Sequence, residues 1–160
     1  MVTNCNNNYD NTYKDYAEKC MNYMKTNLHI SYYTDLIIDF TAKNGIFIEH
    51  VDYLSKLSLM YDKTPLHPEV KQLDFFNLDF DKYNKTFLSG LWFDDIHVIG
   101  CPLPDEVNYC IDTACKFAYS VSFILPKQKE PYIFPAAYKC LFQSDLDAST
   151  IFQIWMKADY

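Results

Sequence analysis

The 160-residue sequence has no arginine: all 14 basic residues are lysine, against 21 aspartates and glutamates, for a net charge of −7. A domain that grips DNA or RNA unaided carries a basic stripe and favours arginine for bidentate phosphate contact. The composition therefore argues against tight unaided nucleic-acid binding. No apolar run approaches the roughly 18 residues that a membrane-spanning helix needs, so no membrane role is expected. The opening stretch MVTNCNNNYDNTYKD lacks the basic cluster and apolar core of a secretory leader. An intracellular protein, cytoplasmic or nuclear, is expected. The six cysteines, at 5, 20, 101, 110, 115 and 140, include no C-x-x-C pair, and His29, His50, His67 and His97 are scattered among them. That spacing supports no metal site and reads as reduced thiols in a reducing compartment. Glycine is scarce too: Gly45, Gly90 and Gly100 are all there is, and each marks a place where the backbone has a special demand.

What remains is a globular composition. Hydrophobic residues make up 49% and charged residues 22%, which excludes a disordered chain. The length suits one domain, large enough to bury about 68–70% of its unfolded surface. Residues 1–11, rich in asparagine, read as a flexible tail, and 12–160 as a single domain. No repeat or low-complexity linker interrupts it.

Along that domain, Tyr13, Tyr16, Ala17, Cys20, Met21 and Met24 recur at helical spacing and predict an amphipathic helix over 11–28. Asp35–Phe40 is a short apolar run that predicts a buried strand, Thr41–Gly45 a turn, and Ile46–Leu54 a helix. Further strands are expected at 57–62, 70–75, 94–100 and 121–125, with a helix at 104–117. Strands at 138–142 and 150–156 close the chain. Strands alternating with helices imply an α/β fold with a parallel sheet covered on both faces. The segment 143–149 is too short for a crossover helix, so the last two strands should pair antiparallel. In such a sheet, ligands bind outside the carboxyl ends of the strands at the switch point.

Read in order, those strand ends are Asp39-Phe-Thr-Ala-Lys-Asn-Gly-Ile-Phe47, Tyr61-Asp-Lys-Thr-Pro65, Asp74-Phe75, Gly100-Cys-Pro-Leu-Pro104, Phe123-Ile-Leu-Pro126 and Phe152-Gln-Ile-Trp155. The set resembles the class I S-adenosylmethionine-dependent N6-adenine methyltransferases of the N-P-P-F/Y type. That family has E-P-S-A-G-N-G-x-F after its first strand and an acidic residue after its second. An acidic-aromatic pair follows the third strand and G-N-P-P-F/Y the fourth, and F-I-L-P and F-Q-I-W strands come later. The likeness runs from about residue 12 to 158. It implies a Rossmann-like methyltransferase fold of seven strands, mostly parallel.

The resemblance also implies roles, and this sequence departs from several. The cofactor positions carried over are Asp39, Asn44, Gly45, Asp62, Asp74 and Phe75. Lys43 stands where the family has its first glycine, losing the freedom of φ > 0 and placing an ammonium near a bound sulfonium. Thr64 matches the family's ribose-binding acidic residue, and Asp62 is two residues short of it. At the chemistry, the family's asparagine and the following proline carbonyl accept hydrogen bonds from the target amino group, and its aromatic residue stacks on the flipped base. Here Cys101 is a poor acceptor, Pro102 is retained, Leu103 replaces proline and Pro104 removes the ring. Losing one such electrostatic partner costs on the order of 10²–10³ in rate. Cys101 is not a promising nucleophile either, because His97, four residues back in an extended segment, lies about 13 Å away.

The sequence thus points to a degenerate methyltransferase-like protein acting as a non-catalytic subunit or interaction module. It would bind S-adenosylmethionine weakly or not at all, work with a protein partner as a homo- or hetero-oligomer, and meet nucleic acid only through that complex. Two alternatives stand beside this reading. One is an active N6-adenine methyltransferase on DNA or RNA; the other is a small-molecule or nucleotide binder using the old cofactor cleft.

Overall fold

The computed structural model describes residues 2–43, 45–75, 79–83 and 92–158, with side chains from Asp15 onward apart from those of residues 80 and 83. Seven strands form one sheet: β1 Leu36–Asp39, β2 Leu57–Asp62, β3 Lys71–Gln72, β4 Ile96–Gly100, β5 Ser120–Pro126, β6 Tyr138–Asp145 and β7 Thr150–Lys157. Their order is β3-β2-β1-β4-β5-β7-β6. The five strands β3, β2, β1, β4 and β5 run parallel, while β7 pairs antiparallel with both β5 and β6. This is the expected architecture, with β7 inserted between β5 and β6.

β1 and β4 are buried along their whole length and β5 along all but Pro126, as parallel strands covered on both faces must be. Side chains alternate between two core layers. Leu36, Ile38, Val98, Val121 and Phe123 pack on one side with Val107, Cys110, Ile111 and Ala114 of helix α3 (Val107–Ala114). Ile37, Ile99, Ile124, Phe152 and Ile154 pack on the other with Ala17, Cys20, Met21, Met24 and Leu28 from α1 (Val2–Asn27) and its C-terminal end. The spacing 17, 20, 21, 24, 28 is a single helical stripe, and each fully buried Met or Leu contributes roughly 1.5–3 kcal/mol.

Four elements differ from expectation. α1 starts at Val2, where a tail to residue 11 was expected; no glycine or proline interrupts residues 2–27, so nothing in the chain ends the helix earlier. Ile46–Leu54 forms turns and a 3₁₀ helix at Val51–Tyr53, held mainly by i→i−3 bonds such as Ile48 N–H to Gly45 O and Tyr53 N–H to His50 O. Its β-branched Ile46, Ile48 and Val51 and its short length offset little of the cost of nucleating an α-helix. β3 keeps only two of its six expected residues, both exposed. A four-residue helix, α2 (Phe80–Tyr83), was not expected.

At the N-terminal ends of β1, β4 and β5, three buried polar side chains join. One ring nitrogen of His97 lies 2.7 Å from Ser120 Oγ and the other 2.8 Å from Asp35 Oδ2. Asp35 also accepts the Ser31 N–H at 3.0 Å. Burial opposes charge on Asp35, but the bonds from His97 and Ser31 together hold its carboxyl below the ordinary value.

Candidate functional site

The strand order reverses between β1 and β4, and the crevice outside their carboxyl ends is built from the loops that follow β1, β2, β3 and β4. β1 ends in Asp39, whose Oδ1 accepts the Thr41 N–H at 2.8 Å and the Thr41 hydroxyl at 3.0 Å. The same hydroxyl accepts the Cys101 N–H at 2.9 Å, so Thr41 joins the loop after β1 to the loop after β4. Gly100 makes this approach possible: a Cβ there would sit 2.5 Å from Thr41 Oγ1 and 3.3 Å from Asp39 Oδ1. Asp39 is buried, and burial pushes its carboxyl up to about 7 against the pull of the two Thr41 bonds, with the nearby Asp62 charge adding to the rise.

β2 ends in Asp62, also buried. Its Oδ2 accepts the Lys43 N–H at 3.0 Å, and its Oδ1 accepts the Thr64 N–H at 2.9 Å and lies 3.4 Å from the Thr64 hydroxyl. The carboxylate therefore pins the turn after β1 to the loop after β2. Lys43 sits there in the left-handed region, at φ +39°, and Gly45 follows at φ +78° against the His67 ring.

Between these loops lies a small cleft, with enclosed room of about 30 Å³. Its floor is aromatic: Phe40 and Phe75 stack with centroids 4.5 Å apart and planes 13° apart, and Tyr109 donates its hydroxyl to the Phe75 carbonyl at 3.1 Å. Across it, Lys63 Nζ meets Glu106 Oε1 at 2.9 Å, linking the end of β2 to the start of α3. That pairing raises the Lys63 pKa. Cys101 and Leu103 form one wall, and Cys110 lies deeper. Burial, then the charges of Glu106 and Asp39, push the Cys110 thiol up to about 12, far from a nucleophile's range. On the far side of the same turn a second cleft, of about 280 Å³, is lined by Cys101, Pro102, Leu103, Pro104, Leu125 and Pro126, with Ser149 and Thr150 opposite.

The sequence-predicted positions are thus partly brought together. Lys43, Asp62, Phe75, Cys101 and Leu103 line the first cleft, and Asp39 lies beneath it. Pro102 and Pro104 face the second cleft. Asp74 is exposed and does not line the first cleft, while Asn44 lies outside the described residues. Thr41, Lys63 and Glu106 were not singled out from the sequence. Thr41 lies two residues after the strand-end Asp39, an aspartate turn spacing that could have marked it; the 43-residue separation of Lys63 and Glu106 carries no local signal. His97 is bound to Asp35 and Ser120 at the opposite end of the sheet and offers Cys101 no base. Among the described residues, no three His, Cys, Asp or Glu side chains are grouped to hold a metal ion. None of the described helices is long and apolar enough to cross a membrane.

S-adenosylmethionine is the group that the sequence resemblance implies, and the residues present do not fit it in this arrangement. Both oxygens of Asp62 already accept a backbone N–H, from Lys43 and Thr64. Phe75, the aromatic partner expected for an adenine ring, is buried and already stacked on Phe40. The paired Lys63 and Glu106 line the same cleft, and Lys43 adds a cation to that lining, opposed to a sulfonium.

No family model matches the sequence, and no curated protein does. Solved structures do resemble the fold. The 23S rRNA methyltransferase ErmE is 7% identical, with 88% of this chain and 68% of that one covered at a TM-score of 0.56. The putative methyltransferase yhhF from Escherichia coli is 10% identical, covering 88% and 82% at 0.53. TrmN from Thermus thermophilus is 10% identical, covering 88% of this chain and 48% of that one at 0.52. Identities this low speak for the fold alone: the chain has the Rossmann-like fold of the class I methyltransferases.

Proposed function

We propose that this chain is a non-catalytic, methyltransferase-like domain that acts by binding a protein partner and approaches nucleic acid only through that complex. The observation that carries the reading is the turn 101–104. It forms the wall between the two clefts, where transfer to an adenine amino group would require a hydrogen-bond acceptor and a stacking ring, and it presents a thiol, a leucine and two prolines. The Cys101 N–H is itself tied to Thr41. The N6-adenine resemblance enters here as ancestry of the site, its chemistry lost by substitution.

The test is transfer of a labelled methyl group to adenine-containing DNA and RNA by the purified chain, run beside thermal unfolding with and without S-adenosylmethionine. A ligand at 100 times its Kd stabilises by about 2.7 kcal/mol, several degrees for a domain of this size. The expected result is no transfer and no shift at millimolar cofactor. Robust turnover that disappears in Cys101→Ala overturns the proposal and makes the chain an enzyme. A shift without turnover favours a retained cofactor or nucleotide site.

A further inference from the structure

The end of the sheet opposite the clefts exposes four large aromatic side chains. Tyr33 is 70% exposed, Tyr53 71% and Trp92 72%, with Tyr32 less so. They lie on three separate segments that the fold ties together. Lys56 N–H and the Ser55 hydroxyl both donate to the Tyr32 carbonyl, at 2.8 and 3.2 Å, which sets the segment of Tyr53 beside that of Tyr32 and Tyr33. Asp94 N–H donates to the Thr34 carbonyl at 2.7 Å and Leu36 N–H to Asp95 O at 2.8 Å, which brings in the segment of Trp92. The Tyr32 and Tyr33 rings meet edge to face, 4.9 Å between centroids.

The charge around these rings is mainly negative. The three segments carry Asp52, Asp94 and Asp95 against a single lysine, Lys56. Asp35, just beneath, is engaged by His97. The excess is felt locally: burial first, then the charges of Asp35 and Asp94, raise the pKa of Asp95. Exposed tyrosine and tryptophan faces among carboxylates attract a planar, weakly hydrated cation, which stacks on the rings and pairs with the acids. Arginine is the residue that this chain lacks throughout.

We propose that this aromatic-acidic end is the surface through which the chain docks its partner, and that what it takes is an arginine-bearing segment of that protein. The inference rests on the reading that the chain works through a partner, and it names where and by what chemistry.

The experiment titrates the full chain with a fluorescein-labelled oligo-arginine peptide and with an oligo-lysine peptide of equal length, at near-physiological salt. Anisotropy reports binding. Tryptophan emission reports its place, because Trp92 is exposed whereas Trp155 is stacked on Phe134 at 4.1 Å. The arginine peptide should bind more tightly than the lysine peptide and perturb Trp92 emission. Tyr33→Ser, Tyr53→Ser and Trp92→Ser should each weaken it about tenfold with net charge unchanged. Asp94→Asn should weaken it as well, and unaltered melting of these surface variants shows that they fold. Equal binding of the two peptides, or ring variants that bind as the parent does, overturns the proposal. So does an RNA oligonucleotide that binds at this end in place of the peptide. Methyl transfer does not depend on this surface, so failure here and failure of the proposed function are separate results.

Discussion

Asp39 and Asp62 end adjacent strands; Asp39 holds its own loop through Thr41, and Asp62 holds both its own loop through Thr64 and the turn after β1 through Lys43. In the unfolded chain Asp39 gives up its proton near 3.8; folded, it keeps it to about 7. Between those values the folded state binds more protons than the unfolded one, so Asp39 makes stability fall as pH rises from about 4 to about 7. At 1.36 kcal/mol per pKa unit the loss is on the order of 4 kcal/mol. Asp35 has the opposite sign. Its lowered pKa stabilises above the ordinary carboxylate value and is lost only at lower pH, outside that window. Asp39→Asn keeps an acceptor for Thr41 and removes the titration. Urea unfolding at steps across the window should find the parent losing stability and the variant losing less, the raised Asp95 carboxyl leaving a slope of the same sign. A variant that declines in parallel with the parent would show that Asp39 is not the group responsible.

At the scale of elements, two contacts decide how the strands are held. The Asp35–His97–Ser120 chain fastens the starts of β1, β4 and β5. His97→Leu keeps volume and leaves a buried carboxylate and a buried hydroxyl short of a partner. The expected cost is about 3–5 kcal/mol in denaturant unfolding, and a loss below about 1 kcal/mol would contradict that role. At the other end, Gly100→Ala drives a methyl into Thr41 and breaks the hydroxyl link between the loops after β1 and β4. A cost of about 1–3 kcal/mol is expected, read as a lower midpoint with an unchanged denaturant slope. Much of this level was legible in the sequence. β1, β4 and β5 announce themselves as short apolar runs because both faces are buried, and Gly100 stood out because glycine is so rare. The strand-end order located Asp39, Asp62 and the 101–104 turn. Ile46–Leu54 misled because its apolar spacing suits a helix while its β-branched residues and length do not. The Phe40–Phe75 stack and the Lys63–Glu106 pair escaped because each joins segments far apart in the chain, which spacing alone cannot register.

At the scale of the whole molecule, the charge is the dominant fact. With a net charge of −7 and no arginine, phosphate neutralisation has little to draw on, and nucleic-acid affinity is built largely from released counterions. In gel-shift titrations at physiological salt the purified chain should not retain duplex DNA or single-stranded RNA. Retention that weakens steeply as salt is raised would show a basic surface that the described residues do not present. The insertion of β7 between β5 and β6 has a different kind of consequence, one of timing. On a ribosome β6 is made before its neighbour in the sheet exists, and the free edge of β5 waits with it. Residues 2–126 can begin to assemble around α1, but the hairpin has nowhere to dock until Thr150–Lys157 has emerged and slid between the two. A nascent chain halted before residue 150 therefore carries an open, apolar strand edge, the kind that recruits other chains, and only the last strand closes it.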